Sequence, residues 1–116
     1  MQLIEEIFSG KSKCAFFFIC IGKKFQNTFK KTTFPFYKEY CKKYDIGIIL
    51  INDFIDKNYN KYSLYKKDPG YQRLLAPGLI KENFPKYKYI CDIDVDCIPG
   101  FLSRNIFKYC KNIKKN

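Results

Sequence analysis

Three carboxylates, Asp92, Asp94 and Asp96, stand at alternate positions at the end of an apolar run, in the stretch YKYICDIDVDCIPG from Tyr87 to Gly100. The chain carries 22 Lys+Arg against 11 Asp+Glu, yet it gathers three of those acids within five residues. Like charges this close repel unless a cation offsets them, and hard carboxylate oxygens suit Mg²⁺ or Mn²⁺. Such an ion takes one or two carboxylates and completes its shell with water and phosphate oxygens, which is how a diphosphate-bearing substrate is held. On an extended strand the three acids lie on one side, whereas a turn beginning near Asp94 lets two of them converge on one ion. The plainer reading is a strand-end cluster paired with Lys86 and Lys88.

A site of this kind has to be positioned by a sheet. CAFFFICIG, residues 14–22, is a short continuous apolar run rich in aromatics, which predicts a strand buried on both faces and closed by Gly22. Phe36, Tyr37, Tyr40, Cys41 and Tyr44 fall at helical spacing after Pro35, with Thr33 as an N-cap, and predict a helix over 34–44. Residues 45–51, DIGIILI, predict a second buried strand ended by Asn52-Asp53. Strand, helix, strand in this order is a βαβ unit, so the sheet is expected to be mostly parallel, with a right-handed crossover. Residues 52–70 read as a long polar loop. Tyr71–Ile80 resumes helical spacing with a break at Pro77-Gly78, and Tyr87–Ile93 is the third strand. Leu3, Ile4, Ile7 and Phe8 also fall at helical spacing and predict a short amphipathic helix over 2–9. FLSRNIFKYCKNI, after Gly100, reads as another short helix, followed by a frayed Lys-rich tail.

At 116 residues the chain is read as one domain, 1–116, and its 47% hydrophobic and 19% aromatic content marks it as folded. A net charge of +11 would ordinarily raise nucleic acid or an anionic membrane as partner. The charge is nearly all lysine, however, with Arg73 and Arg104 the two arginines, and phosphate and base recognition favour the forked guanidinium. Lys, Asn, Ile, Phe and Tyr are abundant while Ala and Val are scarce, which AT-rich coding would produce. No specific nucleic acid is expected. Six cysteines without a CxxC pair, and no histidine, argue against a zinc site. They are expected to be buried, reduced thiols of a cytoplasmic protein. The acidic start is unlike a signal peptide, and the run Ala15–Ile21 is too short to span a bilayer. Peripheral contact with the inner membrane surface through the lysines is the expectation.

Ile93-Asp94-Val95-Asp96-Cys97-Ile98-Pro99 resembles the DxD element of glycosyltransferases of the GT-A fold. Tyr71-Gln72-Arg73-Leu74-Leu75-Ala76-Pro77 is similar to the Tyr-x-Arg-Leu-x-x-Pro segment that precedes DxD in glycosyltransferase family 8. The resemblance spans residues 14–101. It implies an α/β, Rossmann-like, three-layer and mostly parallel sheet, ending soon after the DxD strand. It further implies a nucleoside-diphosphate sugar as donor and a glycan or lipid-linked acceptor. Asp94 and Asp96 would hold Mn²⁺ or Mg²⁺ and the diphosphate, Arg73 would lie near the sugar or its phosphates, and Ile21 and Gly22 would approach the base or ribose. Asp92 has no counterpart and is expected to orient a neighbour. In that family a further metal ligand, commonly His, and the acceptor and catalytic groups follow DxD. Here twenty residues (97 to 116) follow Asp96 without a His. The chain therefore resembles the nucleotide-binding half, incomplete as a catalyst, and no catalytic residue is assigned.

Two other readings stay open. Phosphatases of the haloacid-dehalogenase type also use Asp-x-Asp after a strand, although there the motif opens the domain. A non-catalytic nucleotide or single-strand binding module would use the lysines with Phe and Tyr for stacking. No RNP-like or helix-turn-helix pattern accompanies them.

Overall fold

In the computed structural model, residues 3–55 and 72–94 are described. Strand β1 is Ile4–Phe8, β2 Cys14–Ile19, β3 Gly47–Ile51 and β4 Tyr89–Asp92. Helix α1 is Lys23–Thr28, continued by a π-helical turn Phe29–Thr33 into α2, Phe34–Tyr44; α3 is Gln72–Asn83. Asp96, Cys97, Cys110, most of the 52–70 loop and the segment after Gly100 lie outside the described residues.

The fold is α/β. Its four strands form one mixed sheet in the order β1-β3-β2-β4. β2 pairs in parallel with β3 on one side and β4 on the other, whereas β1 pairs antiparallel with β3 at the edge. The predicted strand-helix-strand unit is therefore present, and the core of the sheet is parallel.

Alternation along β2 and β3 sorts the core into two layers. Cys14, Phe16 and Phe18 of β2, with Ile48 and Leu50 of β3, pack against Phe29, Tyr37, Tyr40 and Cys41 of the long helical segment. Ala15 and Phe17, with Ile49 and Ile51, pack on the opposite face against Ala76 and Ile80 of α3. Every residue of β3 is buried, and so are five of the six in β2, because helices cover both faces. On the first layer the rings of Phe18 and Phe29 lie 4.8 Å apart, and Phe16 meets Tyr37 edge-on at 5.6 Å. Aromatic pairs in this range contribute about 0.5–1.5 kcal/mol each beyond the area they bury.

Three expectations are corrected. Residues 4–8 form a strand, not a helix. Five residues are too few to hold a helix alone, whereas pairing with β3 satisfies the outer backbone groups of that strand. The helical spacing of Ile7 and Phe8 has another cause: the pairing register shifts between Glu6 and Phe8, so both pack toward the same layer.

Thr33 is not an N-cap. Its backbone is helical and its side chain caps nothing, because helix begins ten residues earlier at Lys23. Phe29, Thr33, Tyr37 and Cys41 recur at every fourth residue and are all buried. On a regular α-helix each such step drifts about 40° around the axis. The wider turn at 29–33 takes up that drift and keeps the stripe on the sheet.

Pro77 does not end α3. It is exposed, while Ala76 and Ile80 are buried on either side of it, so the packed face carries the helix across the proline. The cost is local: Pro77 has no N–H to give to the carbonyl of Arg73, four residues earlier.

Candidate functional site

The strand order reverses at β2. From β2 the chain crosses by α1 and α2 over one face to β3, and it comes back by α3 over the other face to β4. The carboxyl ends of β2 and β4 are thus neighbours, with the helices that follow β2 on one face and α3, which leads into β4, on the other. In open α/β sheets that is where a crevice for ligand forms. Parallel pairing sets Phe17 beside Asp92, and the Ile93 N–H donates to the Phe17 carbonyl at 3.1 Å.

From β2 this crevice receives Cys20, Ile21 and Gly22. Gly22 has φ 99 and ψ 152, a conformation essentially reserved for glycine, and a Cβ built on it meets nothing within 4 Å among the described residues. It turns the chain directly into α1, whose first hydrogen bond runs from the Gln26 N–H to the Gly22 carbonyl at 3.1 Å. Ile21 is half-buried. The Gln26 side-chain amide reaches back to the carbonyls of Cys20 (3.2 Å) and Asn52 (3.4 Å), tying the ends of β2 and β3 together. Asn52 in turn donates its side-chain amide to Glu5 at 3.1 Å and its backbone N–H to Leu3 at 2.8 Å, which fastens β1. Sequence reasoning missed Gln26 and Asn52. Their signal was a polar residue just after a strand and one helical turn after Gly22.

From β4 come Asp92 and Asp94. Alternation puts Asp92 on the same side as Ile90, the side covered by α3. The first turn of α3 carries Arg73, which reaches both acids: its Nε lies 3.2 Å from Asp92 Oδ2, and its Nη2 bonds Asp94 Oδ1. Arg73, expected near the sugar or its phosphates, is placed here between Asp92 and Asp94. Asp96 falls outside the described residues, so the pair that the described structure brings together is Asp92 and Asp94. Ile21 and Gly22 belong to the neighbouring strand end.

The two acids differ. Asp94 and Arg73 are about half exposed, whereas the Asp92 side chain is 28% exposed. Burial holds the Asp92 carboxyl above the ordinary range; the Arg73 charge works against this and the Asp94 charge adds to it. One Asp92 oxygen, Oδ1, is buried and accepts no hydrogen bond among the described residues. A carboxylate oxygen without a donor suits a cation, and all-oxygen donors suit a hard one. Asp92 and Asp94 therefore fit a divalent ion. They are two carboxylates, and among the described residues no group of three or more His, Cys, Asp or Glu gathers around a common point.

The four described cysteines offer no competing chemistry. Cys14, Cys20, Cys41 and Cys91 are thiols, and burial pushes the Cys20 and Cys41 thiols up to about 12. At neutral pH such thiols stay protonated and unreactive. A shallow cleft lined by Pro77, Ile80, Tyr87 and Ile90, with Lys81 and Lys88 at its rim, shares no residue with the acid cluster. Among the described residues, no helix is long and apolar enough to cross a membrane. In comparison with known proteins, no family model, no curated protein and no solved structure matches the chain.

Proposed function

We propose that the chain is the nucleotide-sugar-binding part of a glycosyltransferase of GT-A type, holding a nucleoside-diphosphate sugar through a divalent ion at Asp92, Asp94 and Asp96. The observation that carries this reading is that Arg73 of α3 reaches both Asp92 and Asp94 at the carboxyl end of β4, the strand paired with β2 at the reversal of strand order.

Each residue has a task in it. Asp94 and Asp96 are the DxD carboxylates, and Asp92 is added to them by its unmet oxygen. Mn²⁺ or Mg²⁺, when bound, offsets the charge that builds on a departing diphosphate. Arg73 holds Asp92 and Asp94 in place and presents the remaining donors of its guanidinium to phosphate oxygens. Gly22, lacking a Cβ at an open turn, lets a base or ribose approach the backbone beside Ile21. No residue here is assigned to the acceptor, a glycan or lipid-linked acceptor, or to the transfer step. The buried thiols suit a reducing compartment and support a cytoplasmic location.

Calorimetric titration with nucleoside-diphosphate sugars, with and without Mn²⁺, tests the reading. Binding is expected only with the metal and is expected to vanish in Asp94→Ala. Metal-independent binding, or binding that Asp94→Ala leaves intact, overturns it.

A further inference from the structure

We propose that the outward face of the helical segment 23–44 is a docking surface for an anionic lipid membrane. This goes beyond the nucleotide-sugar reading and does not depend on it. Coding bias raises lysine everywhere in a chain, but it does not sort charge by face. Over the whole sequence the basic-to-acidic ratio is 22 to 11. On the segment from Lys23 to Tyr44, Lys23, Lys24, Lys30, Lys31, Lys42 and Lys43 are all exposed, Lys38 is exposed beside the Phe34 ring, and Glu39 is the single acid. None of these lysines forms an ion pair among the described residues, where the ion pairs are made by Arg73 and Lys86. The described acids other than Glu39 lie on β1, at Asp45 and Asp53, on α3 and at the end of β4.

The same segment exposes two large rings, Phe25 at 49% and Phe36 at 42%, although its buried stripe already has Phe29, Tyr37 and Tyr40 to pack on the sheet. Lysines around exposed rings match a lipid surface: the ammonium groups stay at the headgroups while the rings enter the acyl boundary. Lysine is a point charge that needs no fixed partner geometry, as suits a fluid array of anionic headgroups. A nucleic-acid surface would favour arginine forks, and this segment has none.

Each lysine near an anionic surface contributes about fivefold in partition coefficient, the ratio that about 1 kcal/mol corresponds to. Sedimentation of the full chain with phosphatidylcholine vesicles, with and without phosphatidylserine, reads this directly. Binding to the serine-containing vesicles alone is expected, with strong loss in molar salt. The double variant Lys30→Gln/Lys31→Gln is expected to bind roughly twentyfold more weakly, while Lys81→Gln/Lys88→Gln, on other surfaces, is expected to bind unchanged. Phe25→Ser/Phe36→Ser is expected to weaken binding several-fold while its salt dependence persists. Equal binding to neutral vesicles, no binding at low salt, or equal losses in the two lysine variants overturns the proposal. So does single-stranded oligonucleotide that binds the same lysines more tightly than vesicles do.

Discussion

The two ends of the parallel strands are built from similar residues and behave oppositely. At the amino end the chain from β1 to β2 passes beneath the start of β3, and it does so at Gly10. A Cβ there would lie 2.5 Å from the Asp45 carbonyl oxygen and 2.6 Å from the Ile46 carbonyl carbon, with the Gly47 nitrogen as close. Asp45 turns in the left-handed conformation at φ 60, and its carbonyl accepts from the Ser12 N–H at 3.0 Å. Tyr87 closes the remaining space: its hydroxyl donates to Glu6 and accepts from the Gly10 N–H at 3.1 Å. Lys86 joins by a 3.0 Å ion pair to Glu6 and a 2.8 Å bond to Ser9. At the carboxyl end, by contrast, no described residue comes near a Cβ built on Gly22, Arg73 and Asp94 are half exposed, and a buried Asp92 oxygen has no donor among the described residues. One end has its polar groups matched by the chain itself. The other holds polar capacity directed outward, as a binding crevice requires.

If this contrast is right, substitutions at the amino end cost stability and leave binding intact, and those at the carboxyl end do the reverse. The largest expected effect is that of Gly10→Ala, because the atoms in the way are backbone and β3 itself must move. Urea denaturation is expected to show a loss of about 3 kcal/mol or more, at the upper range for overpacking. A loss as small as that of Arg73→Ala would break the comparison. Tyr87→Phe comes next, at about 1–3 kcal/mol, the cost of leaving the Gly10 N–H and the Glu6 carboxylate without their shared partner. Gly22→Ala is the one carboxyl-end substitution expected to cost stability as well, about 1–3 kcal/mol, and it does so through its positive-φ backbone and not through any contact.

Arg73→Ala is expected to shift stability by less than about 1 kcal/mol, since exposed ion pairs contribute little. The pH dependence of Asp92 gives the smallest effect and sharpens the sign. Burial holds its folded carboxyl above the ordinary value of 3.8, so the fold takes up a proton before the unfolded chain does as pH falls. Its contribution therefore raises stability as pH drops through the window just above 3.8, and that stability is lost again as pH rises. The melting temperature of the unsubstituted chain, followed against Asp92→Asn across that window, is expected to gain on the variant toward low pH. A gain toward high pH would mean that the Arg73 pair outweighs burial.

The sequence carries this architecture unevenly. CAFFFICIG and, after Asp45, IGIILI are apolar throughout, so their burial on two faces could be read directly, and Phe36 to Tyr44 marks the last part of its helix and its end. The strand at Ile4–Phe8 was hidden because the register shift before Phe8 imitates helical spacing, which periodicity alone does not separate from a bulged strand. The start of the first long helix was hidden because Lys23 to Thr28 buries nothing. Pro77 gave a true local signal that packing of Ala76 and Ile80 overrode. For the site, the acids were visible as a local cluster and Arg73 through a local motif. The Tyr87–Glu6–Gly10 closure joins residues some 80 positions apart and leaves no local trace. Asp92 reads as a supporting residue because it has no counterpart in the DxD motif, and alternation says which side an acid takes and not which oxygen lacks a donor among the described residues.

The central claim is that the carboxyl end of the sheet holds a divalent ion together with a diphosphate. The most direct measurement is the electron paramagnetic resonance signal of free Mn²⁺ titrated with the full chain, in the presence and absence of a nucleoside diphosphate. The account predicts that chain and nucleotide together remove the free-ion signal beyond what the nucleotide removes alone, and that Asp92→Asn and Asp94→Asn each weaken this effect by tenfold or more, on the order of the loss of one charged ligand. A signal that the chain leaves unchanged, or that both variants deplete as the unsubstituted chain does, contradicts it.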